Sequence, residues 1–215
     1  CWGNIFDYLV LIFCPKGNLS KVYIHETWSR RKINLLERLL LQRQTASYVC
    51  FSKNLSDSLL ENGIESIYME HPSLAREDFR QTDLSNNLRL LNKELYLFIG
   101  AIRENKGIQR LENFSKRINK NGLIVVAGPV EGGLNIEFLE NITNLFLVPR
   151  KLTDDEFYSL IAVSDVILMP YTCVTASGVL ASLPLDKKIL ASDLEYFREN
   201  KRRYKNLEIN EEWTN

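Results

Sequence analysis

The stretch that most constrains the fold of this chain is residues 94–107, ELYLFIGAIRENKG. Its apolar first half is typical of a buried strand, and Gly100 and Gly107 then enclose a short turn that carries Arg103 and Lys106. A strand that runs through a turn into a helix leaves unpaired backbone N–H groups at its carboxyl end, where the helix dipole also favours an anion. The pattern fits either a phosphate-binding turn or an ordinary βα connection, because the fixed glycine spacing of a phosphate loop is missing.

Composition narrows the class of protein. The 215 residues are 45% hydrophobic and 25% charged with a formal net charge of zero, which is typical of a globular chain and provides no basic stripe for nucleic acid. The four cysteines are far apart, contain no CxxC pair and are accompanied by only two histidines. We therefore expect no nucleic-acid partner, no metal, no cofactor, and reduced thiols in a cytoplasmic protein.

The ends of the chain predict a fragment. Residues 5–14 form an apolar run that is too short to cross a bilayer and lacks the flanks of a signal peptide, so we expect a strand there. The chain has no initiator methionine and ends on the polar sequence EEWTN. We expect a piece of a longer protein, with a first part that lacks some of its strands.

Apolar runs alternate with amphipathic segments along most of the chain. The predicted strands are 5–14, 21–26, 48–52, 66–70, 95–99, 123–127, 145–148, 166–169 and 188–191, and the predicted helices are 31–42, 54–62, 108–119, 136–140, 154–163, 178–183 and one from residue 194. Continuous apolar strands separated by helices predict an α/β fold with doubly wound parallel sheets. Residues 73–92 are polar without a clear period, and they are predicted to be a linker between domains at 1–72 and 93–215.

Parallel sheets bind their ligands at the carboxyl ends of the strands. Three predicted loops lie on that rim of the second domain, at residues 100–107, 128–133 and 171–178. The last of them places Thr175, Ser177 and Gly178 at a helix start, so hydroxyl and backbone N–H groups are expected to face the cations of the first loop. A simple N-terminal cap by Thr175 explains the same residues without a ligand, and the sequence leaves both interpretations open.

A succession of segments resembles one enzyme family. FIGAIRENKGI, LIVVAGP, NLFLVPRKLTDDEFYSLIAVSDVILMPY, TASGVL and KKILASDLEYFRE, in that order, resemble the carboxyl domain of retaining nucleotide-sugar glycosyltransferases with the GT-B fold, family 4. KVYIHE, SYVCFSKNLSDSLLENGI and MEHPSL are similar to the latter half of that family's amino domain. The resemblance implies two Rossmann-like doubly wound parallel-sheet domains, the first incomplete.

The resemblance also implies roles for individual residues. The family's GxIRxxKG turn corresponds to Gly100, Arg103 and Lys106 here, which would place both cations on the diphosphate of a nucleotide-sugar donor. Its next rim loop corresponds to Thr175, Ser177 and Gly178, which would bind the distal phosphate. Its cleft histidine corresponds to His25, expected to be catalytic, with a half-buried strand-end histidine as the alternative.

The chain departs from the family's pattern at two carboxylates. Aligned on Gly178, the positions of two glutamates that lie near the sugar and the ribose are Thr175 and Leu183. Pro184 also stands where a helix should continue. The resemblance therefore does not imply how this chain would recognise a ribose.

These features together predict a hexosyltransferase, retaining by resemblance, acting in polysaccharide biosynthesis. It would move a hexose-type sugar from a nucleotide-diphosphate sugar to a glycan or lipid-linked acceptor. The alternative from another class is a non-catalytic sugar-nucleotide-binding or interaction module built on a degenerate transferase domain. Donor turnover separates the two functions.

Helix 31–42 is amphipathic and allows two interpretations. Ile33, Leu36, Leu39 and Leu40 share one face, and basic residues lie around them. We expect that apolar face to pack on a core, as in any covering helix. The alternative is a peripheral contact with anionic lipid, which would place the protein at the inner face of the membrane.

Overall fold

The computed structural model describes residues 13, 15, 20–24 and 35–213. This part of the chain forms two compact units. The first contains the described residues up to Pro72 together with Val174–Ser177, and the second contains Ser73–Cys173 and the chain from Gly178 onward. Each unit is built around its own parallel sheet, so the predicted α/β class with two parallel sheets is confirmed.

The first unit contains a three-stranded sheet in the order β1-β2-β3. Its elements are β1 Lys21–Ile24, α1 Leu35–Arg43, β2 Ser47–Cys50, α2 Lys53–Glu61 and β3 Ser66–Tyr68. Ser52 caps α2, because its side chain accepts a hydrogen bond from the N–H of Leu55. One face of the sheet packs against both helices through Val22, Ile24, Tyr48, Cys50, Leu41, Leu55 and Leu59. Of the predicted strand 5–14, only Phe13 is among the described residues, and it is helical, so the strand prediction is wrong at that residue; the rest lies outside the described residues.

Helix α1 buries only part of the predicted stripe. Glu37 and Leu41 are buried and Leu40 packs against the same core, whereas Leu36 and Leu39 are 54% and 56% exposed. Ile33 lies outside the described residues. The predicted buried face was rotated around the helix relative to the observed one. Five of the nine α1 residues are leucine, so apolar character alone does not determine which side of the helix faces the sheet.

The second unit contains a six-stranded sheet in the order β6-β5-β4-β7-β8-β9. Its strands are β4 Glu94–Ile99, β5 Gly122–Ala127, β6 Leu145–Val148, β7 Val166–Met169, β8 Lys188–Ser192 and β9 Leu207–Asn210, and its helices are α3 Asp83–Leu90, α4 Arg110–Ser115, α5 Asp154–Val163, α6 Gly178–Ala181 and α7 Glu195–Asn200. Short 3-10 turns occur at Glu104–Lys106, Glu137–Asn141 and Glu211–Trp213. The chain winds outward from β4 to β6 and then returns to β7 on the other side of β4, which is the predicted doubly wound arrangement.

Residues 73–92 are not an irregular linker, because they contain helix α3. Thr82 and Ser85 form a capping box at its start, and the Oγ1 atom of Thr82 lies 3.1 Å from the Oγ atom of Ser159 on α5. The helix escaped prediction because it buries only Ser85 and Leu88, which leaves almost no apolar period to detect. The domain limits at 1–72 and 93–215 stay a prediction.

Helix α5 begins at the predicted capping box. The N–H of Glu156 donates to the Oγ1 atom of Thr153 at 3.2 Å, and the N–H of Thr153 donates to the Glu156 carboxylate at 2.9 Å. Arg150 donates to both oxygens of the same carboxylate, at 2.9 and 2.6 Å. These bonds, first from Arg150 and then from Thr153, lower the pKa of Glu156 to about 2.

Replacing Glu156 by Gln should destabilise the protein at pH 7 by about 1–2 kcal/mol, less than the full pKa shift implies because solvent screens the pair. A depressed pKa stabilises the fold above the unfolded value of 4.5, and the contribution disappears as the pH falls from there to about 2. Urea unfolding of both proteins between pH 2 and 7 should show the difference shrinking in acid. Glu140→Gln is the control, since Glu140 is exposed. A difference that does not depend on pH would contradict this role.

Candidate functional site

The candidate site lies at the carboxyl ends of β4 and β7, where the winding of the second sheet reverses. Strand β4 pairs with β5 on one side and with β7 on the other. The chain leaves β4 toward β5 and leaves β7 toward β8, so the two connections run in opposite directions along the sheet. Such a switch point opens a crevice between the loops, and open α/β sheets bind their ligands there. The loop after β4 carries Arg103 and Lys106 to this point.

Two glycines let the loops of this rim approach one another closely. Gly107 has a φ of +65°, and a Cβ atom there would lie 1.8 Å from the carbonyl oxygen of Pro170, which follows β7. Gly128 has a φ of +148°, and a Cβ atom there would lie 1.9 Å from the carbonyl oxygen of Gly100. No side chain fits either position without moving the backbone. The loops after β4, β5 and β7 are therefore packed backbone against backbone.

Lys106 lies against the loop that follows β7. Its Nζ atom is 3.6 Å from the centroid of the Tyr171 ring, and this ring is buried and packs against Phe197. The contact has cation–π geometry, with the ammonium over the negative face of the ring. A hydrogen bond from the N–H of Thr172 to the carbonyl of Asn105, at 3.0 Å, joins the same two loops. Lys106 thus has a defined position at the switch point.

Arg103 lies beside a carboxylate that the sequence patterns did not predict. Ile102 forms a parallel bridge with Val130 beyond the ends of β4 and β5, which brings Glu131 next to Arg103. The Nε atom of Arg103 is 2.7 Å from Oε2 of Glu131, but its N–H is not aligned for a hydrogen bond, so the contact is an ion pair. The two side chains are 39% and 45% exposed.

Arg110 is a further cation at this edge that was not predicted. Its Nη1 atom donates to the carbonyl oxygens of Pro170, Tyr171 and Trp213 and to the Oγ atom of Ser192, at 2.6 to 3.2 Å. Burial lowers its pKa. Because these acceptors lie after β7, at the end of β8 and near the last described residue, Arg110 connects the start of α4 to three parts of the rim. Its role is structural.

Of the remaining predicted site residues, Gly178 lies in the second unit, Thr175 and Ser177 lie in the first, and His25 is not among the described residues. Gly178 begins α6, and the next residue of that helix, Val179, lies beside Gly100, where a Cβ atom would be 2.9 Å from its side chain. Thr175 is half-buried and Ser177 is buried, and both belong to the Val174–Ser177 segment of the first unit. His25 lies outside the described residues. The functional roles of these residues stay predictions.

Two further properties concern metals and membranes. Among residues 20–24 and 35–213, no three His, Cys, Asp or Glu side chains are grouped closely enough to hold a metal ion. No helix in the described part of the chain is both long enough and apolar enough to cross a bilayer.

Three solved structures illustrate the similarity of fold. Sucrose-phosphate synthase (tll1590) from Thermosynechococcus elongatus gives a TM-score of 0.66 at 12% identity, over 81% of this chain and 47% of its own. Anabaena Alr3699/HepE in complex with UDP gives 0.66 at 10% identity, over 83% and 54%. WaaG, a glycosyltransferase involved in lipopolysaccharide biosynthesis, gives 0.64 at 15% identity, over 90% and 62%. The fold is GT-B-like.

The GT-B likeness rests on structure and not on sequence. No protein-family model and no curated protein matches the chain. At 10 to 15% identity the similarity shows the fold alone, and the chain spans about half the length of the solved structures it matches. Membership of family 4 and a retaining mechanism stay predictions.

Replacing Gly107 by Ala should destabilise the second unit by about 2–4 kcal/mol, because the new methyl group meets the Pro170 carbonyl in a left-handed conformation. Gly132→Ala is a matched control, since Gly132 has a φ of +72° with nothing within 4 Å of its Cβ position. That control should cost about 1–2 kcal/mol, the strain of the left-handed backbone alone. Urea unfolding measures both variants. Equal losses would show that the close approach of these loops is wrong.

Proposed function

We propose that this chain is the donor-binding part of a glycosyltransferase that uses a nucleotide-diphosphate sugar, without a metal or cofactor. The observation that carries the proposal is the position of Arg103 and Lys106 in the loop that leaves β4 at the switch point of a GT-B-like sheet. The solved structures support it, because HepE, which has this fold, forms complexes with UDP and with UDP-glucose.

The proposed chemistry is electrostatic. When a sugar leaves a nucleotide diphosphate, negative charge grows on the departing diphosphate, so groups that bind this charge lower the barrier. Arg103 offers a planar fork for two phosphate oxygens, and Lys106 offers a compact charge held over the Tyr171 ring. These two cations would do the work that a divalent ion does in other sites.

Other residues complete the proposed reaction. Thr175, Ser177 and Gly178 are proposed to add hydroxyl and backbone N–H donors for the distal phosphate. His25 is proposed to orient the sugar or the hydroxyl group of the acceptor. The acceptor is proposed to be a glycan or a lipid-linked molecule.

The surface of α1 supports a lipid-linked acceptor at the cytoplasmic side of a membrane. Leu35, Leu36 and Leu39 are 72%, 54% and 56% exposed, and Arg38 and Arg43 on the same helix are exposed as well. A helix that combines exposed leucines with cations binds anionic lipid surfaces through both.

Replacing Arg103 or Lys106 by Ala should weaken UDP binding by about 1.5–3 kcal/mol each, the size of a hydrogen bond to a charged group. Isothermal calorimetry with UDP, GDP and ADP measures the loss and identifies the preferred base. Lys116→Ala is the control, because Lys116 is 64% exposed and pairs with Glu112 on the outer surface of α4. The site would be wrong if both variants bound UDP like the unchanged protein.

The competing function, a non-catalytic binding module, predicts UDP-glucose binding without its consumption. A transferase should release glucose slowly to water even without its acceptor.

His25→Ala should then lower the rate of glucose release by about 100-fold or more, the usual contribution of a positioned acid or base, with an unchanged melting temperature. Product analysis by chromatography measures the rate. A variant as fast as the unchanged protein would remove His25 from the mechanism.

A further inference from the structure

The ion pair between Arg103 and Glu131 is fixed by the register of two neighbouring backbones. The N–H of Ile102 donates to the carbonyl of Pro129 at 2.8 Å, and the N–H of Glu131 donates to the carbonyl of Ile102 at 3.0 Å. The side chain of Ile102 is fully buried and anchors this extension of β4 in the core. Arg103 and Glu131 therefore start from adjacent, rigid positions on the rim.

Both charged groups keep hydrogen-bonding capacity that the fold does not use. A guanidinium carries five N–H donors, and a carboxylate has about four lone-pair sites. Within the described part of the chain, neither the guanidinium of Arg103 nor the carboxylate of Glu131 makes a hydrogen bond, and their ion pair joins Nε to Oε2. Of the atoms in the pair, Nε alone is buried without a hydrogen bond. The N–H donors of Arg103 and the carboxylate oxygens of Glu131 therefore lie next to one another on the rim, where both side chains are partly exposed.

This combination matches a phosphate that is joined to a hydroxyl-bearing ring. The two terminal nitrogens of Arg103 donate in parallel to phosphate oxygens, while the carboxylate of Glu131 accepts from a hydroxyl of the adjoining ribose or hexose. A bare polyanion such as pyrophosphate has no sugar hydroxyl to donate, and the nearby carboxylate repels its charge.

We infer that Glu131 is a specificity-determining residue that favours sugar nucleotides over bare phosphates at this site. The inference rests on the proposed function and names the residue that discriminates among its ligands. If Glu131 were only a counter-ion for Arg103, its loss would change the affinity for every anion by a similar factor. The ratio of two affinities therefore separates the two roles.

The test measures the dissociation constants of pyrophosphate, UDP and UDP-glucose by calorimetry at one ionic strength. Glu131→Gln should bind pyrophosphate roughly 3–10-fold more tightly because an opposing charge is gone. It should bind UDP-glucose no more tightly than the unchanged protein, because the neutral amide oxygen of Gln accepts from the ligand hydroxyl more weakly than the carboxylate does, and this offsets that gain. Preference for UDP-glucose over pyrophosphate should fall by about tenfold. Glu112→Gln is the control, since Glu112 also pairs with a cation, Lys116 at 3.0 Å, and should leave the preference unchanged.

Glu131→Asp separates the two effects, because it keeps the charge and shortens the side chain. Its pyrophosphate affinity should stay near that of the unchanged protein, while its UDP-glucose affinity falls. Both variants should keep their melting temperature because an exposed pair contributes little to stability, and if Glu131→Gln does not fold, the Asp variant decides.

An unchanged preference in these variants would overturn the inference and leave the proposed function in place. An unchanged protein that binds pyrophosphate but neither UDP nor UDP-glucose would overturn the proposed function, and the inference with it.

Discussion

The rim of the second unit depends on backbone contacts that only glycine permits. Gly107 lets the turn after β4 touch the carbonyl of Pro170, and Gly128 lets the loop after β5 touch Gly100. The first contact brings Lys106 over the ring of Tyr171. The second keeps β4 and β5 in register beyond their ends, so that Arg103 meets Glu131. The positions of both cations thus follow from these two glycines.

Cationic side chains whose positions are already restricted by their neighbours suit the proposed binding of a diphosphate. A long cationic side chain that is free in solvent loses rotamer entropy when a ligand orders it, and that loss subtracts from affinity. The ring beneath Lys106 and the carboxylate beside Arg103 limit this freedom before any ligand arrives. Arg110 contributes indirectly, because its bonds to Pro170 and Tyr171 hold the loop on which Lys106 rests.

Much of the second unit could be predicted from the sequence because its apolar segments are strong and well bounded. The limits of β6, α5 and β7 agree with prediction residue for residue. Helix α4 is shorter than predicted, since 3-10 bonds such as Arg110 N–H to the Gly107 carbonyl replace helical ones at its ends. Strand β9 was missed because LEIN is too short and too polar to stand out from the loops around it.

The site was less predictable than the fold for a physical reason. Arg103 and Lys106 could be found because they lie in one local turn between a strand and a helix. Glu131 could not, since its place beside Arg103 depends on the pairing of two strands and on the bridge between Ile102 and Val130. The exposed stripe of α1 was missed for a related reason, because local leucine content does not specify which side a helix presents to its sheet.

The most direct test of this account is the location of the bound nucleotide. Titration of UDP into isotope-labelled protein, followed by amide chemical shifts, reports that location residue by residue. The account predicts that, within the second unit, the largest shifts fall in residues 100–107, 128–133, 171–173 and 178, after β4, β5 and β7. The account would be contradicted if the largest shifts fell at the amino ends of β4 and β5, around Asn92 and Asn121, or if UDP caused no shifts at all.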